Sequence, residues 1–189
     1  ITYEHSSKPF RRLMVFNASS ALQVTNGNPA SATVSGLLTP PAGNFNAYMG
    51  ALVWEGDDGI NGDQFNLSGA GVQNGGNLSD AQSPVNNFWN SRISRLGSLF
   101  TNRNPAYANN FAIDLKMVDI SNVPANTGPR MANSGTTANL QFTSTGDVYF
   151  PHALVFISDL YSPNLLPSLN KTVSNVTRPG ATDVLPGEQ

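Results

Sequence analysis

Apolar and polar residues alternate along much of this chain, the period-two pattern of strands that bury one face. Phe111, Ile113, Leu115 and Met117 fall on one side of such a run, with Asp114 and Lys116 on the other. Ala138, Leu140 and Phe142 likewise oppose Asn139, Gln141 and Thr143. The alternation predicts two half-buried antiparallel strands with the apolar set facing the core. Residues 47–54 and 153–161 are apolar on both sides and are expected as central strands. Leu13–Phe16, Ala21–Thr25 and Ala32–Leu38 give weaker strand signals. Asn26-Gly27, Asn28-Pro29, Pro40-Pro41, Asn74-Gly75-Gly76 and Asn104-Pro105 punctuate these runs as turns. Many short strands with regular turns predict an all-β fold, an antiparallel β-sandwich of jelly-roll or Ig-like type. One segment breaks the pattern. Trp89, Ile93, Leu96 and Phe100 recur at helical spacing behind Ser83-Pro84, a cap followed by a first-turn proline. They predict one short helix near residues 84–95.

After Tyr161 the periodicity fades and Pro163, Pro167, Pro179 and Pro186 punctuate a tail. The expected organisation is a β-sandwich module over residues 1–165 and an extended tail over residues 166–189. That tail reads either as a linker to an Ig-like repeat or as a strand donated to a neighbouring subunit. Its apolar residues Val173, Val176, Val184 and Leu185 are too sparse for a core of their own.

Composition narrows the function classes. At 189 residues the chain is long enough for a substantial core. Charged residues make up 12%, about half the usual share. A net charge of -2 gives no electrostatic footprint for nucleic acid. No apolar run approaches the ~20 residues of a membrane helix, so membrane insertion is not expected. There are no cysteines, which removes disulfides, thiolate nucleophiles and cysteine zinc sites. Sequons begin at Asn17, Asn66, Asn77, Asn170 and Asn175 and mildly favour an extracellular setting. An opening Ile1 reads as a processed chain or an excised piece.

The densest chemistry lies in Trp54-Glu55-Gly56-Asp57-Asp58-Gly59-Ile60-Asn61-Gly62-Asp63-Gln64-Phe65. Glu55, Asp57, Asp58 and Asp63 share a glycine-rich loop, and converging oxygens suit a hard cation. These four residues are the candidate Ca²⁺ ligands; a solvated acidic loop is the plainer reading. The loop is not an EF-hand, because Ser68 stands where its closing glutamate belongs. Catalytic constellations are weak. Neither His5 nor His152 lies near a Gly-x-Ser-x-Gly elbow, and that motif is missing from the chain. Gly69-Ala70-Gly71 lacks the third glycine and the helix of a dinucleotide site. A glycosidase pair would combine Glu55 with Asp119, which continues the inward phase of Phe111–Met117, or with Asp159. An internal Lys–Asn isopeptide needs a buried lysine beside an acidic group. Lys116 is the strand candidate, but its phase sets it opposite the apolar face and argues against one.

The order of several motifs carries a resemblance. Tyr3-Glu4-His5 and Pro9-Phe10-Arg11-Arg12-Leu13-Met14-Val15-Phe16 come first, then Trp54-Glu55-Gly56-Asp57 through Gly62-Asp63. Asn86-Asn87-Phe88-Trp89-Asn90-Ser91, Gly146-Asp147-Val148-Tyr149-Phe150-Pro151 and Asp159-Leu160-Tyr161-Ser162-Pro163 follow. Over roughly residues 1–165 this resembles a β-rich module of large modular bacterial surface proteins, which precedes Ig-like conserved-repeat domains of unknown function. The stretch from Lys171-Thr172-Val173 to Pro186-Gly187-Glu188 is similar to the opening of such a repeat. The resemblance implies secretion to the cell surface and a scaffold or adhesive role, with neighbouring subunits or adjacent surface-protein domains as partners. It supplies no catalytic residues. A Ca²⁺-dependent carbohydrate-binding module, stacking glycans on Tyr48, Trp54 or Trp89, is the alternative.

Overall fold

The computed structural model describes residues 5, 7–17 and 22–160. The expected tail over residues 166–189 lies outside them. Among the described residues the fold is all-β and contains no helix. In chain order the strands are β1 (Arg11–Asn17), β2 (Ala30–Ser35), β3 (Ala47–Trp54), β4 (Gln64–Ser68), β5 (Val72–Gln73), β6 (Gly76–Asn77), β7 (Ile93–Arg95), β8 (Ser98–Leu99), β9 (Ile113–Asp119), β10 (Arg130–Met131), β11 (Thr137–Thr143) and β12 (Phe150–Asp159). A six-stranded sheet runs β1-β12-β3-β9-β7-β8, and a four-stranded sheet runs β2-β11-β4-β6. Strands β5 and β10 form a small separate ribbon.

The inward residues of both sheets meet in one core. Met49, Ala51 and Val53 of β3, with Leu154 and Phe156 of β12, come from the larger sheet. Val34, Phe65, Leu67, Leu140 and Phe142 come from the smaller one. Strand β3 is central, paired antiparallel with β12 on one side and β9 on the other. Its Gly50 allows a close approach there, since a Cβ would lie 2.8 Å from the Lys116 carbonyl oxygen. The alternation of β11 is as expected, with Ala138, Leu140 and Phe142 buried.

Three expectations are corrected. No helix forms near residues 84–95. Asn87, Phe88, Trp89, Asn90 and Ser91 are buried consecutively, which no single helical face allows. Ser91 and Leu96 adopt positive φ, and β7 turns through Gly97 into β8. Secondly, Ala21–Thr25 forms no strand among its described residues, where isolated bridges join Val24 to Tyr149 and Thr25 to Asn28. Thirdly, β9 has the opposite phase to the expected one. Asp114, Lys116 and Val118 point into the core, while Leu115 is 49% exposed, Phe111 is exposed, and Asp119 lies outside. The reason is on its flank: β7 pairs with β9 in parallel, Ser94 opposite Lys116, and the segment before β7 supplies polar partners to the inner face.

Candidate functional site

Residues two apart on a strand share a face, so β9 delivers Asp114 and Lys116 together. Both are essentially inaccessible, at 0% and 2% exposure. The irregular segment from Phe88 to Arg92 closes over them. Asp114 Oδ2 accepts the Ser91 N–H at 3.0 Å, and its Oδ1 accepts the Arg92 N–H at 3.0 Å. Lys116 Nζ stands 3.4 Å from Asp114 Oδ1 and donates to Oδ1 of buried Asn90. The Asn90 Nδ2 donates to the Gln82 carbonyl at 3.1 Å, and Lys116 Nζ is 3.5 Å from that same oxygen. The Phe88 ring centroid lies 5.6 Å from Nζ.

The acidic loop is pinned onto this centre. Ser91 Oγ donates to the Gly56 carbonyl at 2.5 Å and accepts the Ala112 N–H at 2.8 Å. Gly56 must be a glycine, because a Cβ there would lie 2.2 Å from Asp114 Oδ2 and 2.5 Å from the Trp89 carbonyl oxygen. Burial acts in opposite senses on the two charged groups. It raises the Asp114 carboxyl, against the pull of Lys116 and the two amides, and it lowers the Lys116 amine, against the pull of Asp114. Both shifts favour the neutral acid and the neutral amine. The centre brings the Lys116 amino group, the Asn90 carboxamide and the Asp114 carboxyl group into mutual contact, away from water.

A second buried carboxylate lies alongside. Asp63, fully inaccessible, accepts the Trp89 N–H on Oδ2 at 2.5 Å, while its Oδ1 is buried without a partner. Burial, with smaller contributions from the nearby Asp147 and Asp114 charges, raises it to about 7 despite the Trp89 amide. Burial also raises Asp147, whose oxygens accept the Val148 N–H at 2.6 Å and the Asp57 N–H at 3.3 Å.

The four candidate Ca²⁺ ligands occupy different settings. Glu55 is exposed at φ 66, its N–H donating to the Ala112 carbonyl at 2.7 Å. Asp57 is exposed, and Asp58 pairs with Arg92 at 3.1 Å. Asp63 alone is buried. Among the described residues no three His, Asp or Glu side chains group as a metal site.

The glycosidase pairings are also set apart. Trp54, next to Glu55, lies opposite Ile113, whereas Asp119 lies opposite Tyr48. That is a strand length of roughly 20 Å, against about 5–9.5 Å for such a pair. Asp159 holds Arg11 at 2.8 Å and Asn46 Nδ2 at 2.7 Å, near the same distant end of β3. His152 is exposed, edge-on to Trp54 with centroids 6.3 Å apart, and His5 binds Ser7.

Lys116, set opposite the apolar face by its expected phase, is instead buried beside Asp114, and Asn90, Asp114 and Asp147 were not legible as site residues. Their one available signal was a lysine two residues from an aspartate on a strand, in a chain holding few lysines. No family model matches the chain, and neither a curated protein nor a solved structure matches it.

Proposed function

We propose that this chain is a non-enzymatic extracellular structural module. It serves as a scaffold or adhesin domain of a cell-surface protein, or as the subunit of an extracellular fibre joined through its tail. One observation carries the reading: the buried charged side chains serve the architecture. Asp63, Asp114, Asp147 and Lys116 are buried; the three carboxylates accept from backbone amides, and Lys116 donates to the Asn90 carboxamide beside Asp114. An enzyme would instead collect such groups in a cleft that admits substrate. We take the two sheets as halves of a β-sandwich of jelly-roll or Ig-like kind, with β7–β9 as a parallel exception. Partners of the same class, neighbouring subunits or adjacent domains, suit the outer face of the larger sheet. Leu52, Ile93, Phe100, Leu115, Met117 and Val155 line an apolar groove there, and continuous apolar surface favours protein contact.

Electron microscopy and light scattering of the purified chain test the proposal. Filaments or concentration-dependent assembly, lost on truncation at Tyr161, are expected. A strictly monomeric chain that turns over a polysaccharide would overturn it.

The alternative is a Ca²⁺-dependent carbohydrate-binding module, and Asp63 favours it. Its Oδ1 is buried without a partner and the Asp147 charge helps to raise its carboxyl, so a cation would relieve both carboxylates. Glu55, Asp57 and Asp58 would complete the ligands only by rearranging. Identical melts with Ca²⁺ and with a chelator would remove this reading, since a ligand that binds only the native state raises its stability.

A further inference from the structure

We infer that Lys116 and Asn90 become covalently joined, the Lys116 amine displacing ammonia from the Asn90 side-chain amide, with Asp114 as proton carrier. The inference concerns the core alone and stands or falls independently of the proposed surface role.

The geometry supplies each participant. Lys116 Nζ rests against the Asn90 carboxamide, whose carbonyl carbon it would attack. Asp114 Oδ1 lies 3.4 Å from that amine, close enough to exchange a proton with small movement. The Gln82 carbonyl faces both the entering nitrogen, at 3.5 Å, and the departing one, at 3.1 Å. Asn90 and Lys116 are each 2% exposed, and Phe88 and Trp89 are fully buried around them. Water is thus kept from competing as nucleophile. Fixed contact also replaces a bimolecular encounter, a gain that reaches effective molarities on the order of 10⁵ M or more in well-oriented pairs.

The steps balance without an outside reagent. Lys116 first passes a proton to Asp114, leaving a neutral amine and a carboxylic acid, as burial of both groups favours. The amine lone pair attacks Asn90 Cγ and the carbonyl π pair moves onto Oδ1. Asp114 gives its proton to Nδ2 and takes one from Nζ as the intermediate collapses. The Cγ–Nδ2 bond breaks, ammonia leaves, and a secondary amide remains. One C–N bond forms, one breaks, and nothing is oxidised or reduced. The product ties the segment before β7 to β9 and closes the chain between residues 90 and 116.

Mass spectrometry of the full denatured chain is the test. The expected wild-type mass is lower than the sequence mass by one ammonia, and a proteolytic digest should contain one peptide joining Asn90 to Lys116. Asn90→Ala and Lys116→Arg should restore the full mass expected for each sequence. Asp114→Ala should do the same; a cross-link that persists in that variant would show that Asp114 is not the carrier. Because the main readout is on the wild type, misfolding of a variant does not blunt it. A folded wild type of full mass overturns the inference. So does an ammonia loss mapped to Asn90 alone, which would be succinimide formation with Ser91.

Discussion

Strands β9 and β11 belong to opposite sheets, and they bring contrasting surfaces to one core. From β11 come Ala138, Leu140 and Phe142, a plain apolar row. From β9 come Asp114, Lys116 and Val118, two potential charges and a valine. The difference lies in what each strand meets. Phe142 stacks on Phe65, with centroids 4.6 Å apart, and lies close to Trp89. Strand β9 meets the irregular Phe88–Arg92 segment, whose unpaired amides need acceptors. Asp114 satisfies two of them and Lys116 compensates its charge. A core position is therefore chosen by the demands of its neighbours as much as by its own hydrophobicity.

The largest effect should come from breaking the polar side of this contrast. Asp114→Ala strands the Ser91 and Arg92 amides and leaves Lys116 buried without a counter-charge. A loss of about 3–5 kcal/mol in denaturant melts is expected. Replacing the pair together, Asp114→Leu with Lys116→Met, should recover the part due to the uncompensated lysine but not the part due to the two stranded amides. Leu140→Ala tests the apolar side and should cost about 2–5 kcal/mol through a cavity. A double variant of Asp114 and Leu140 that lost no more than either alone would show the two sides to be one unit.

The third prediction concerns Asp63. Its native carboxyl titrates near 7, against about 4 in an unfolded chain. Between those values the native state holds the extra proton, so stability is fullest below the window and falls as pH rises through it. The slope from this group is at most about 1.4 kcal/mol per pH unit. Asp63→Asn should flatten that slope, as read from melts across the window. The smallest effect belongs to the outer face of β9, where Leu115→Thr should change stability by under about 1 kcal/mol. A larger loss in the assembled protein than in the monomer would mark Leu115 as part of a contact.

Much of the sheet content was readable from pattern alone. Residues 47–54 are β3, and β11 has both the extent and the phase that its alternation implied. The phase of β9 was not readable, because period two tells which residues share a face but not which face lies inward. Ile113, Leu115 and Met117 look like a core row and instead cover the outside of the larger sheet. Helical spacing of Trp89, Ile93, Leu96 and Phe100 misled for a related reason. Trp89 is packed by Phe65, Phe88 and Phe142 in the core, whereas Phe100 is exposed on the groove side. The buried centre escaped because its members come from a loop and a strand 26 positions apart in the chain. Asp63 was legible as a carboxylate on a glycine-rich loop but not as a buried one, because the Trp89 amide that binds it comes from 26 positions along the chain.

The segment from Trp89 to Arg92 has no regular structure until β7 begins, yet its backbone amides are held by Asp63 and Asp114 in the interior. Amide exchange rates follow the cost of opening each bond rather than the secondary structure around it. The Trp89, Ser91 and Arg92 amides should accordingly exchange deuterium as slowly as those in the middle of β3, through whole-molecule unfolding alone. The Glu55 and Asp57 amides, on the exposed limb of the same network, should exchange first.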